Sequence, residues 1–187
     1  TVVVYQAYKS SIGHFAAANG YFGGDFQLGR MSWIKPNFLW MMFRCGWATK
    51  VDQEVVLAVT LKRTAFDEIL AQAVHSQFVP KIYGTEADWK SAVARSQVRL
   101  QWDPDHHPSG EKEERRAIQL GLRGEELKKY SQEWIVRIED ISEFVREQHQ
   151  HVVSRNYSEL YTPRETVYML NDELVAKRLE ISNSNSI

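Results

Sequence analysis

The chain has one cysteine, Cys45, in 187 residues, so it can form no internal disulfide and no multi-cysteine metal site. A lone thiol between Arg44 and Gly46 fits a reducing, cytoplasmic setting. Charge of one sign is also lacking. Lys plus Arg number 23 against 24 Asp plus Glu, a net charge of -1, which removes any global electrostatic signature of a nucleic-acid binder but leaves room for a local basic patch. No apolar run approaches the roughly 20 residues that cross a bilayer, so no membrane span is expected. The opening "TVVVYQAYKS" lacks the charged, apolar, small-residue order of a secretory signal. Neither a G-x-G-x-x-G nor a Walker lysine pattern occurs. What remains, 43% hydrophobic and 25% charged, is ordinary globular composition, and the length suits one domain, residues 1–187, with 157–187 expected as a mixed appendage ending in a frayed "SNSNSI".

Strand and helix signals alternate. "TVVVYQAY" is β-branched and aromatic and reads as a strand; "SSIGHFAAA" follows as a serine-capped helix that Asn19 and Gly20 stop. Pro36 opens a helix over "PNFLWMMFRC", which Gly46 ends, with Phe38, Met41, Met42 and Cys45 at helical spacing. "EVVLAVTLKR" reads as a buried strand, and "TAFDEILAQAV" as a helix with Phe66, Ile69, Leu70 and Ala73 on one face. "EADWKSAVA" predicts a helix, "SQVRLQW" a strand, and the proline-broken "DPDHHPSGEKEE" an exposed excursion. "RRAIQLGL" is a strand, "GEELKKYSQ" a helical turn, "EWIVRIEDI" a strand and "SEFVREQHQHVVSR" a serine-capped helix.

Several constellations could carry chemistry. "WDPDHH" sets Asp103, Asp105, His106 and His107 within five positions, the donor types of a divalent-metal site, although adjacent histidines in such a loop are more often solvated. No metal is expected there. His149 and His151, two apart on a helix, cannot share a ligand and read as surface residues. In "GLRGEE", Arg123 stands between a strand and a helical turn, where free backbone amides could meet a phosphate. "GRMSWIKPNFLWMMFRCGWATK" holds three of the six tryptophans beside Arg30, Lys35, Arg44 and Lys50. Trp40, Met41 and Met42 suit a core, whereas "GRMSWIK" surrounds one tryptophan with polar side chains and suits an anionic ligand with a flat ring.

"VYQAY", "RMSWIKPNFLWMMFRCGWATK", "QWDP", "AIQLGLRGEEL" and "EWIVRIEDIS", in this order, closely resemble the motifs of the domain-of-unknown-function 4291 family. More distantly, the order of elements resembles the ADP-ribosyltransferase catalytic domain. That likeness implies an α+β fold of split, mostly antiparallel sheets flanked by helices, with NAD as substrate in a cleft between them. Carried over by position, Gln6 takes the place of the first-strand His or Arg, Ser32 or Trp33 that of the second-segment polar or aromatic residue, and Glu133 that of the catalytic acid. A carboxylate near the ribose would stabilise the oxocarbenium-like charge that grows as the nicotinamide bond breaks.

On this resemblance Glu133 and Gln6 are the catalytic candidates, and Arg30, Ser32, Trp33, Lys35, Gln119, Arg123 and Tyr8 the cofactor-binding set. With Gln6 in place of an ionic donor and only Gln132 before Glu133, the resemblance favours a nucleotide, nucleic acid or small molecule as acceptor over protein arginine. The bland rival for Glu133 is an exposed strand-end acid paired with Lys128 or Lys129. Two other functions compete: a nucleic-acid or nucleotide-binding module using Arg30, Lys35, Arg44 and Lys50 on phosphates and Trp33 or Trp47 on bases, and a metal-dependent hydrolase around Asp103 to His107.

Overall fold

The computed structural model describes residues 1–181; the expected frayed "SNSNSI" lies outside them. In chain order the elements are β1 (Val2–Tyr8), α1 (Ser10–Asn19), β2 (Ser32–Ile34), α2 (Phe38–Cys45), β3 (Val55–Leu61), α3 (Arg63–Gln72), β4 (Ala73–His75), α4 (Pro80–Tyr83), α5 (Glu86–Arg95), β5 (Val98–His106), β6 (Lys112–Leu122), α6 (Gly124–Gln132), β7 (Ile135–Asp140), α7 (Ser142–Val153), a 3-10 turn (Tyr157–Glu159) and α8 (Glu173–Leu179). The strands form two sheets, β1-β3-β7 and β2-β6-β5-β4. Every pairing is antiparallel except β4 with β5, so the expected α+β architecture of split, mostly antiparallel sheets is present.

Strand β3 explains why the core forms where it does. It lies between β1 and β7, and its alternating side chains serve two different clusters. Val55, Leu57, Val59 and Leu61 join the large core with Val4, Phe66, Ile69, Leu100 and Leu120. Val56 and Ala58 face the other way, onto Phe38, Met41, Met42, Cys45 and Val145 of α2 and α7. A strand covered on both faces reads as one apolar run, as "VVLAVTL" does. The α2 spacing is thus a core stripe, and each such side chain contributes on the order of 1.5 to 3 kcal/mol by burial.

The two sheets meet at one isolated bridge, Tyr5 with Lys35. The Tyr5 amide donates to the Lys35 carbonyl at 2.7 Å and the Lys35 amide donates back at 3.3 Å.

Five local expectations need correction. Lys9, not a serine, stands at the N-cap of α1, and Ile141, not Ser142, at that of α7; no side chain caps either end. Helix α2 begins after Asn37, whose side chain accepts from the Trp40 amide at 2.7 Å, so Pro36 lies outside the helix. The helix expected to reach Val74 stops at Gln72, because Ala73 to His75 pair in parallel with Val98 to Leu100. The "DPDHHPSGEKEE" excursion is instead the extension of the β5–β6 hairpin, with Asp105 and His106 buried. Pro104 fits there because the register shifts between Pro104 and His106, a bulge that needs no ladder N–H from proline.

The described residues after α7 contribute to the core through Leu170, Ala176 and Leu179. Glu165 from this segment accepts from the Phe38 amide at 2.6 Å and from the Asn37 side chain at 3.0 Å, anchoring the start of α2.

Candidate functional site

The register of β2, β6 and β5 separates two faces. Ile34, Leu120, Leu122, Val98 and Leu100 are fully buried on one. The alternate positions, Trp33, Gln119, Gly121, Gln101 and Asp103, and Lys35 one step beyond β2, belong to the other. That second face backs a cavity of about 420 Å³, to whose lining it gives Trp33, Lys35, Gln101 and Gln119, alongside Gln6, Tyr8, Met31, Ser32, Met41, Arg44 and Gln53. Its volume suits a small ligand.

Lys35 is the unusual group in this lining. Only 5% of it is exposed. Burial, followed by repulsion from Arg44, lowers its ammonium to about 8, with Asp103 opposing the shift. Among the described residues its side chain has no hydrogen-bond or ion-pair partner, and Arg44 at the rim has none either. Lys35 Nζ is not among the sealed, unpartnered polar atoms of the described residues, so the ammonium opens onto the cavity, where water or a ligand anion can meet it. Gln53 reaches the cavity from a loop whose preceding residues Gly46, Trp47 and Ala48 have φ of 59°, 54° and 65°. Three successive left-handed residues, two of them not glycine, make this a strained segment beside the site.

Gly121 is required by close approach. A Cβ there would lie 2.7 Å from Met31 Sδ and 3.0 Å from the Trp33 ring, so the indole lies directly over the β6 backbone. Gly121→Ala is expected to displace Trp33, weakening ligand binding about tenfold while costing about 1 kcal/mol of stability. Titration calorimetry beside a urea melt would separate the two effects; unchanged binding would remove Trp33 from the site.

Gln6 lines the cavity but is already engaged. Its amide nitrogen donates to Tyr8 Oη at 2.8 Å, Ser32 Oγ at 3.0 Å and the Trp33 carbonyl at 3.1 Å, and its Oε1 accepts from Tyr130 Oη at 2.6 Å. Two hydrogens shared among three acceptors leave no donor free for a substrate. Tyr8 and Ser32 close the network at 2.6 Å, and burial raises both the Tyr8 and Tyr130 hydroxyls well above their ordinary range. Gln6, Tyr8 and Ser32 are therefore the frame of the cavity wall.

The other expected residues divide. Trp33, Lys35 and Gln119 line the cavity. Arg30 is exposed and outside the lining, although its charge acts on Tyr8. Arg123 caps α6 from outside the cavity, with its guanidinium donating to the Ser96 carbonyl at 2.9 Å. Of the amides expected to meet a phosphate beside it, that of Glu126 is already used, donating to Gln97 Oε1 at 3.1 Å. Glu133 is the C-cap of α6, exposed and absent from the lining, and its carbonyl accepts from Lys62 at 3.4 Å. Neither lysine expected to pair with it does so: Lys129 pairs with Glu68 and Glu126, and Lys128 with Glu125.

The rival sites are likewise dispersed. Asp105 pairs with Arg115, His107 contacts Ser109, and His106 stacks on Phe43 at 3.7 Å and Trp40 at 5.2 Å, its pKa lowered by burial. No group of three or more His, Cys, Asp or Glu is placed to hold a metal among the described residues. For the nucleic-acid set, Lys50 donates to the Arg44 carbonyl and Trp47 is buried against His149. That stack also makes His149 half-buried, where the sequence suggests surface. Met31, Met41, Arg44, Gln53, Gln101 and Asp103 complete the site or its support; of these the sequence points to Arg44 as a phosphate contact and to Asp103 only as a metal-type donor, while the polar alternation Gln101, Asp103 was the usable signal for the wall.

Residues 1–168 match the family model described as "Domain of unknown function (DUF4291)". The chain belongs to this family. All the cavity-lining residues of this DUF4291 chain fall inside the matched span, and α8 falls beyond it. No curated protein and no solved structure matches the chain, so the ADP-ribosyltransferase likeness has no support from either. Among the described residues no helix of this DUF4291 chain is long and apolar enough to cross a membrane.

Proposed function

We propose that the cavity between the sheets binds a nucleotide-type anion, its phosphate on Lys35 and Arg44 and its flat ring beside Trp33. The observation that carries this is Lys35, a side chain 5% exposed and without a partner among the described residues, lining a polar cavity of about 420 Å³ together with Arg44. Lysine binds phosphate as a point charge, and arginine adds a planar fork at the rim. NAD is the member of this ligand class that the ADP-ribosyltransferase resemblance implies. The cations and the indole fit its binding. Cleavage of its glycosidic bond needs a carboxylate at the ribose, and Glu133 does not line the cavity, so no cleavage step is assigned to it.

Calorimetry with AMP, nicotinamide mononucleotide and NAD tests the proposal. Binding at micromolar to low millimolar concentration is expected, together with loss in Lys35→Met. Glu133→Gln is expected to leave every affinity within about twofold of wild type, as an exposed substitution away from the site should. A tenfold loss in that variant would restore Glu133 to the site; absence of binding by all three ligands would end the nucleotide assignment.

A further inference from the structure

Asp103 holds two cavity-lining glutamines by their amino groups. Gln101 Nε2 donates to Asp103 Oδ1 at 2.8 Å and Gln119 Nε2 donates to Asp103 Oδ2 at 2.8 Å. Gln101 and Gln119 face each other across the β5–β6 ladder, and Asp103 stands two residues beyond Gln101 on the same face. This arrangement decides the orientation of both amides. An ionised carboxylate only accepts, so each glutamine must turn its NH₂ toward Asp103 and its carbonyl oxygen away. Neither Oε1 has a protein donor among the described residues, and both side chains line the cavity. One wall thus offers two fixed acceptors, while Lys35 and Arg44 offer positive charge elsewhere in the same cavity.

We infer that Gln101 and Gln119, locked by Asp103, read an exocyclic amino group on the ligand's planar ring, so that the site selects amino-bearing nucleotides over their oxo or acid counterparts. This rests on the nucleotide-binding proposal above. The shared chemistry is an N–H donor pair on a flat ring, as in the amino group of an aminopurine or the carboxamide of nicotinamide. A ligand with an oxygen in that place would put its acceptor against the two glutamine carbonyls and leave all of them without a donor. Asp103 is a positioning residue: it acts through the two amides and its own oxygens are used on them.

The test is a set of affinities by calorimetry for AMP against IMP and for nicotinamide mononucleotide against nicotinic acid mononucleotide. In wild type the amino-bearing member of at least one pair is expected to bind ten or more times tighter. Preference in the first pair alone assigns an aminopurine, in the second alone a carboxamide, and in both the amino group common to them. Asp103→Asn, which lets either amide turn over, is expected to narrow that preference to threefold or less. Gln119→Leu removes one acceptor without touching Asp103, and is expected to weaken the amino-bearing ligand about tenfold and its counterpart not at all; it carries the test alone if Asp103→Asn does not fold. Equal binding within both wild-type pairs, or a preference that survives both substitutions, overturns the amino-group assignment while the nucleotide site stands. No binding by any of the four ligands overturns both.

Discussion

Lys35→Met is expected to make the ligand-free protein more stable at pH 7 and to weaken anion binding. The gap between the ordinary lysine value of 10.5 and about 8 corresponds to about 3 kcal/mol of native-state penalty on the charged form. Below pH 8 the folded protein carries the full penalty. Between about 8 and 10 the folded chain has released a proton that the unfolded chain still holds, so wild-type stability rises with pH over that window. Above it Tyr5, raised to about 12 by burial, begins to act in the opposite direction. Methionine fills similar volume without charge, so the variant should show a melting temperature higher by several degrees at pH 7 and should lose the rise from 8 to 10, leaving the decline that the buried Cys45 thiol, pushed up by burial, causes as pH passes its ordinary value. Removal of a charge-assisted contact should weaken nucleotide binding about 10- to 100-fold. Wild-type affinity should itself decline as pH rises through 8. Scanning calorimetry across pH, with and without AMP, gives both readouts; a variant less stable than wild type at pH 7 would mean that the ammonium is well satisfied in the native state.

Gln6→Leu should do the reverse, costing about 2 to 5 kcal/mol. Gln6 is buried, and the change leaves the fully buried Tyr130 hydroxyl and the Trp33 carbonyl without their partner; each orphaned group costs about 1 to 3 kcal/mol. Tyr130→Phe in the Gln6→Leu background removes one of those orphans and should recover about 1 kcal/mol or more, whereas Tyr130→Phe alone should destabilise. That double-mutant cycle, run by urea unfolding, distinguishes a frame residue from a substrate-contacting one. A Gln6→Leu protein within 0.5 kcal/mol of wild type, by the usual ~0.5 kcal/mol margin for surface changes, would contradict the role assigned here.

The architecture was legible wherever local pattern and tertiary demand coincide. The α2 stripe, the continuous apolar run of β3 and the αL stops at Gly20 and Gly46 each follow from a signal a few residues long. Strand β4 was not legible, since "AVH" extends the apolar face of α3 and only its partner β5 converts it to extended chain. The "DPDHHP" segment misled because proline and paired polar residues ordinarily mark loops, while here a bulge accommodates Pro104 and aromatic neighbours bury His106.

For the site, the "GRMSWIK" segment did contribute Trp33 and Lys35, since polar residues around one tryptophan gain little by burial. Glu133 could not be judged from a strand-end position alone: whether such an acid faces the cleft depends on how α6 closes, and Glu133 closes it from the solvent side. Gln6, which the resemblance makes a catalytic candidate, does line this wall, but the contact that fixes its amide comes from Tyr130, 124 residues away. No local window contains that contact.

The joint between the sheets has a mechanical consequence. The peptide group that ties Lys35 to Tyr5 belongs to the residue carrying the cavity's buried charge. Sliding one sheet past the other therefore drags the ammonium along, and the cavity cannot widen by shear while its charge stays in place. An anion bound at Lys35, as proposed, would in turn brace the strands at this point, so that denaturant resistance of the bridge should rise with ligand.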